Sequence, residues 1–486
     1  MTQAFNPADL WQLLPELTVT AVGLLVLTLD FLASGRDRDW LAWLSVAGLT
    51  VSGAFAWQQL VTPGRAVVFS GLHAVDQYAA FFKLVFLASA LIVVLLSVRF
   101  LKDHGAPQGE FYALTVFATL GAMLMASAND LLSVFVGLET LAVCTYALCG
   151  FLKRDQRCNE GALKYLLMGT FATGVLLYGM VLLYGFAGGT GLETIARAAG
   201  MGALDNPALL MGMVLLAAGF GFKIAAVPFH MYLPDMYEGA PTPVVAYMAG
   251  ATELAGVAVL VRVFLLGLPG LQVDWGILFW VLAVLTMTIG NIVAIAQSNV
   301  KRMLAYSTIA HMGYILIGPT VGSALGVAAV LFYSLAYALM TIGAFGMVVL
   351  LAHGTVKGDR IDDFAGLAQK HPLASAIMLL FLLSLTGIPP TAGFVGKLYL
   401  FGAAIEAGYY WLVIIAVVNS AISLFYYMRV VVAMYMRDVP PQGIATSPSF
   451  ALNIALLLTG AGTLLLGIFP GPVLALARAS AVMIGG

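Results

Sequence analysis

The chain has 486 residues, of which 62% are hydrophobic and only 9% charged. Soluble domains carry about 25% charged and about 45–50% apolar residues, so there is too little charge here to cover water-soluble domains. With 22 Lys+Arg against 23 Asp+Glu and a net charge of −1, a basic nucleic-acid binder is excluded as well. Cys144, Cys149 and Cys158 make neither a disulfide framework nor a metal spacing and read as small packing residues. The composition is that of a polytopic protein of the lipid bilayer.

A membrane-spanning helix needs about 20 mostly apolar residues. Fourteen stretches qualify. The first seven are 10–32, 40–61, 77–98, 111–128, 131–152, 161–186 and 208–229. The others are 241–266, 275–297, 303–320, 324–352, 373–403, 408–434 and 450–470. The runs are continuous and not alternating, which argues against spanning strands. The first has no basic leader and no small-residue cleavage site, so it is expected to remain as a helix. The expected fold is all-α.

Basic residues sort by loop. Arg36, Arg38, Arg99, Lys102, Lys153, Arg154, Arg157, Lys301, Arg302, Lys357, Arg360, Lys370, Arg429 and Arg437 follow odd-numbered helices. Arg65, Arg197, Arg262 and Arg478 fall on the other side. By the positive-inside rule the odd loops are cytoplasmic and both termini lie outside. That pattern and the uncleaved first helix suit a bacterial plasma membrane.

Six ionisable groups remain inside the spans: Lys83, Lys164, Lys223, Lys397, Glu139 and Glu253. Such groups are costly in hydrocarbon and usually line ion pathways. Lys223 lies in GFGFKIAAVPFHMYLPDMYEGAPTPV and Lys397 in GIPPTAGFVGKLYLF, where Pro and Gly interrupt the helical ladder. Both lysines therefore sit beside a break, in helices 7 and 12. Five is an odd offset, so the second unit is inverted, as expected for repeats of helices 4–8 and 9–13. Interrupted helices at matching places in inverted halves point to an ion site. The chain then divides into a three-helix segment (1–105), repeats at 106–270 and 271–435, and a tail (436–486).

A buried lysine can exchange a proton when burial weakens its hold and a nearby carboxylate strengthens it. Glu139 is the natural partner of Lys223. Glu139 lies 14 residues from Lys153, about 21 Å along a helix, and Lys223 lies 7 residues from His230, about 10 Å. These depths match only if the break lets the end of helix 7 dip inward. Lys164 and Lys83 either serve the path or snorkel to an interface. His230 and His311, lone histidines near cytoplasmic ends, are either proton relays or structural. Asp235 and Glu238 either line a proton inlet or sit in a solvated loop. No phosphate-binding G-x-x-x-x-G-K-[ST] loop is present, and neither haem-ligand histidine pairs nor a cysteine cluster are evident. Energy must come from an ion gradient or a partner.

The stretches GLETLAVCTYALCGFLKRD, EGALKYLLMGTFATGVLLYG, KIAAVPFHMYLPDMYEGAPTPVVAYM and NVKRMLAYSTIAHMGYILIG resemble the antiporter-like subunits of respiratory complex I. LLPELTVT with Asp30, and DQYAAFFK, fit the N-type subunits of that family. The resemblance covers nearly the whole chain. It implies fourteen helices with inverted five-helix repeats, and it matches Glu139 and Lys223 to the family's glutamate–lysine pair. Lys164 and Lys397 match its lysines on helices 6 and 12. Where the family commonly has a lysine on helix 8, this chain has Glu253, which can still relay protons. The short end beyond the last span argues against an L-type subunit, and Lys397 against an M-type one. The implied function is proton translocation driven by redox chemistry in other subunits, which would hold NADH, FMN, iron–sulfur clusters and quinone. Implied partners are the antiporter-like M-type and the small K- and J-type subunits. A cation/proton antiporter subunit of the Mrp kind and a proton-inert assembly scaffold are the alternatives.

Overall fold

The computed structural model describes residues 7, 9–33, 38–200, 206–352, 358–440 and 446–485. Arg36 and Lys357 of the charge sorting lie outside the described residues. Three helices come first: α1 (Leu14–Leu32), α2 (Asp39–Val61) and α3 (Gln77–Asp103). Strands β1 (Ala66–Val68) and β2 (His73–Val75) form a small antiparallel hairpin between α2 and α3. Asp76 ends that hairpin and starts α3, its side chain accepting from Ala79 N at 2.8 Å, the usual work of an N-cap.

Next come α4 (Gln108–Ser127), α5 (Leu131–Cys149), α6 (Gln156–Ala187) and α7 (Pro207–Lys223). A turn and the short helix Leu233–Gly239 separate α7 from α8 (Thr242–Gly267). The chain continues as α9 (Gln272–Ile295), α10 (Val300–Ile315) and α11 (Ala324–Leu351). α12 is split into α12a (Pro372–Thr386) and α12b (Ala392–Glu406). α13 (Tyr410–Met436), α14 (Phe450–Ile468) and α15 (Gly471–Gly485) complete it.

Among the described residues, eleven helices are long and apolar enough to cross a membrane. α7, α10 and each half of α12 are shorter. α8 is buried along its whole apolar length and α11 nearly so, while α6 turns Leu167, Phe171 and Tyr178 outward. That inversion suits a lipid solvent: the outside is apolar, and polar groups collect around the central helices.

Two close helix pairs set the frame. A Cβ on Gly121 of α4 would lie 2.5 Å from Leu141 N of α5, and one on Gly313 of α10 would lie 2.5 Å from Met287 N of α9. Only glycine permits backbones this near. The residue that caps α5, Asp130, bridges to Gly191 after α6, and the residue that caps α10, Asn299, bridges to Arg360 after α11.

The structure corrects the charge sorting at Arg262. It is not a loop residue but lies inside α8, fully buried. Its bidentate partner is Asp76, so an α3 carboxylate, and not water, carries its compensation.

Candidate functional site

Asn206 caps α7 and Pro207 occupies its first turn, where its missing N–H costs nothing. The helix ends at Lys223. Ala225 then adopts φ 53°, and Pro228 blocks any continuation. Val227 N donates to Thr286 Oγ1 of α9 at 3.0 Å, which anchors the turn. The Lys223 stem packs on α8, where a Cβ on Gly256 would lie 3.2 Å from Lys223 Cγ. Lys223 is 5% exposed, and among the described residues its ammonium has no hydrogen bond and no ion pair within 4.0 Å. Glu139 of α5 is the carboxylate whose charge reaches it. Glu139 is half-buried and accepts from Thr173 Oγ1 of α6 at 3.0 Å. The expected pair is thus brought within electrostatic reach but not into direct contact.

Glu253, one turn before Gly256, is fully buried. Tyr237, from the short helix after the break, donates to Glu253 Oε1 at 2.5 Å, and among the described residues Oε2 has no hydrogen-bond partner. Glu253 starts the α-helical middle of α8, between π-helical turns at Met248–Thr252 and Val263–Gly267. Such turns shift a helix face and recur at functional sites. The charge of Glu253 reaches Tyr237 first and also Tyr232 and Tyr337.

Tyr337 of α11 leads into the second half. Its hydroxyl donates to Thr308 Oγ1 of α10 at 2.8 Å, and its ring lies 5.2 Å from that of His311. His311 is not near the start of α10, the end expected to be cytoplasmic, but eleven residues in, roughly 16 Å along and about one turn before Ile315. It is 1% exposed and not solitary. Its Nδ1 lies 2.6 Å from the Tyr333 hydroxyl and its Nε2 3.3 Å from that of Tyr427. Tyr427 in turn bonds Ser307.

Lys397 sits on α12b facing the end of α12a. Gly387, at φ 93°, terminates α12a and leaves its last carbonyls without helical donors. Lys397 Nζ fills that role, donating to Leu385 O at 3.1 Å, Thr386 O at 2.8 Å and Ser420 Oγ of α13 at 2.8 Å. It also lies 4.7 Å from the centroid of the Tyr314 ring. The charge of Lys397 reaches His311.

The remaining candidates lie apart from this buried line. Lys164 is half-exposed and pairs with Asp235 and Glu160, each at 2.7 Å. Arg302 closes the group, at 2.7 Å from Asp235 and 3.0 Å from Glu238. Asp235 and Glu238 are therefore neither free loop acids nor joined to Lys223. His230 stands in the break, half-buried, with no ion pair among the described residues.

Lys83 does not snorkel. It is fully buried and 2.7 Å from Glu16 Oε1. Glu16, His73 and the Asp76–Arg262 pair escaped the sequence reading. An acid inside the first span opposite a lysine in the third was the available signal.

The family described as NADH:quinone oxidoreductase/Mrp antiporter, TM matches residues 128–423. A Trichlorobacter lovleyi protein named NADH-quinone oxidoreductase subunit N is 42% identical, over 100% of this chain and 99% of its own. A Rhizobium meliloti protein named NADH-quinone oxidoreductase subunit N 2 is 43% identical, over 96% of each chain. A chain of respiratory complex I from Thermus thermophilus superposes with TM-score 0.80 at 33% identity, over 96% of this chain and 99% of that one. A chain of the Mrp complex from Dietzia superposes with TM-score 0.85 at 21% identity, over 98% and 97%, and shares the fold. Sequence and fold agree that this chain belongs to the membrane-subunit family shared by NADH:quinone oxidoreductase and the Mrp antiporters, on its NADH-quinone oxidoreductase subunit N branch.

Proposed function

We propose that this chain is a proton-translocating membrane subunit of NADH:quinone oxidoreductase. The observation that carries this reading is the buried line Lys223–Glu253–Tyr237–Tyr337–His311–Lys397, which crosses from one half of the molecule to the other. Ionisable and hydroxyl groups placed at such steps can pass charge by small changes in separation. Lys223 and Glu139 act as the paired inlet, Glu253 as the relay on α8, and Lys397 as the far terminus. Lys164 and Asp235, with His230 nearby, serve the approach to Lys223.

In this reading α7, α10 and α12 also span, giving fourteen helices with inverted repeats of helices 4–8 and 9–13. The matched glycine contacts of α4–α5 and α9–α10, and the matched bridges from Asp130 and Asn299, support it. The segments are 1–105, 106–270, 271–435 and 436–486. Both termini face the outside of a bacterial plasma membrane. NADH, FMN, iron–sulfur clusters and quinone belong to partner subunits, and M-, K- and J-type subunits are the neighbours in the membrane arm. The fold is shared with an Mrp complex, so sequence identity to the N-type subunits separates the two readings.

The test is proton pumping by the reconstituted complex. Lys223→Ala and Glu139→Gln are each expected to abolish this chain's pumping while the complex assembles. Full pumping by either assembled variant would overturn the reading.

A further inference from the structure

The first three helices hold charges that the line from Lys223 to Lys397 does not use. Glu16 of α1 is 3% exposed and Lys83 of α3 is 0% exposed. His73 of β2 brings Nε2 to 3.6 Å from the Glu16 oxygen that Lys83 faces. Among the described residues, His73 Nε2 and Glu16 Oε2 have no hydrogen-bond partner. Burial draws the His73 imidazole down to about 4, with Glu16 acting against it. His73 is therefore neutral at ordinary pH, and Lys83 alone balances Glu16. An unused carboxylate oxygen beside an unused ring nitrogen is unusual in a buried site.

The neighbouring pair is different. Asp76 accepts two hydrogen bonds from Arg262, at 2.8 and 2.7 Å, and Arg262 Nε donates to Ala126 O at 2.9 Å. With Tyr78 under the guanidinium, these three bonds hold the pair as a fixed wall. The charged and titratable groups around Glu16 and His73 are thus Lys83, Asp76 and Tyr78 from α3, Arg262 from α8, and Arg65 from the loop after α2.

A cleft of about 580 Å³ opens beside the cluster, lined by Trp11, Pro15, Gln59, Thr62, Arg65 and Asp76. Gln59 of α2 joins cleft and cluster. Its oxygen accepts from Lys83 at 3.2 Å and its amide donates to Gln12 O at 2.7 Å.

We propose that Glu16, Lys83 and His73 form a second proton-binding site, which exchanges through Gln59 and its cleft with the membrane face carrying the start of α1. A proton arriving at Glu16 converts the carboxylate to the neutral acid, while Lys83 keeps its ammonium. Departure of that proton into the cleft restores the carboxylate. No other bond changes, and the charge of the cluster alternates by one. The site lies in the motifs LLPELTVT and DQYAAFFK, outside both repeats. It rests on the reading of the chain as a proton-translocating subunit and gives that subunit an exchange point of its own.

The test uses the whole complex in vesicles with pH set separately on each side. The component of proton release removed by Lys223→Ala defines this chain's share. Glu16→Gln is expected to remove that same component. Gln59→Leu, at a half-buried edge position with all charges intact, is expected to slow it about tenfold, the rate counterpart of one lost hydrogen-bonded link between cluster and cleft. The charge-balanced double variant Glu16→Gln/Lys83→Met is expected to stay without it. Recovery in the double variant would make the cluster a structural charge pair and overturn the proposal. Unchanged release in Glu16→Gln or in Gln59→Leu would overturn it too. If Lys223→Ala removes no component, the functional reading falls first, and the proposal falls with it.

Discussion

Lys397 Nζ makes three hydrogen bonds, to Leu385 O, Thr386 O and Ser420 Oγ, whereas Lys223 makes none among the described residues. Both are buried, so the difference is in what holds the charge. The freed carbonyls of α12a give Lys397 the negative end of a helix. Lys223 depends on the field of Glu139 from a distance. Ser420→Ala removes one of three bonds, worth about 1 kcal/mol, and should slow pumping by less than about tenfold. Lys397→Met should abolish it, as read by acidification of reconstituted vesicles. Glu253 has one bond from Tyr237 and a free Oε2, so Glu253→Gln should assemble normally yet fail to pump. Normal pumping would make Glu253 structural. His73 gives a pH prediction. Its folded form protonates only near 4, against an unfolded value of 6.5, so the unfolded state takes up the proton first as pH falls. Stability is then lost between 6.5 and 4 and levels off below. The loss is about 3 kcal/mol, and His73→Gln should flatten that region of the melting-temperature profile relative to the parent. Counting residues placed Lys83, Lys223 and Lys397 inside the spans, where the structure buries them, but it placed Lys164 there too, and that side chain is half-exposed. It could not name their partners. Which way Lys83 or Lys223 points around its helix depends on packing between segments distant in sequence, such as Gly256 against Lys223.

At the scale of elements, the breaks in α7 and α12 were legible because proline and glycine act locally. The π-helical turns of α8 were not, since no residue type marks them. The segment between them, Glu253–Arg262, joins the central line at one end to Asp76 of α3 at the other. Removing one member of so buried a pair strands the other. Arg262→Met should therefore cost about 3–5 kcal/mol and appear as loss of assembled complex. Asp76→Asn together with Arg262→Met should recover much of it, because no buried charge is left alone. Equal loss in the double variant would show that shape, not charge, is what α8 needs there.

The whole molecule is organised by solvent. Among the described residues α8 and α11 are the most buried of the eleven long apolar helices, and buried charge gathers in the central line and in the Glu16–Lys83 and Asp76–Arg262 pairs. The loop asymmetry of basic residues survives the loss of Arg262 to the interior, since that residue came from the poorer side. Topology can be tested by surface labelling. Cys144, Cys149 and Cys158 are all buried, so a cysteine placed at the surface stands out against a low background. Arg154 follows α5 and Thr62 follows α2, and both are exposed. In sealed right-side-out vesicles a membrane-impermeant thiol reagent should label Thr62→Cys and leave Arg154→Cys unlabelled. Opening the vesicles should expose the second site while the first stays as it was. The reverse pattern would invert the molecule, and the cleft beside Gln59 would then face the cytoplasm and act as an inlet, not an outlet.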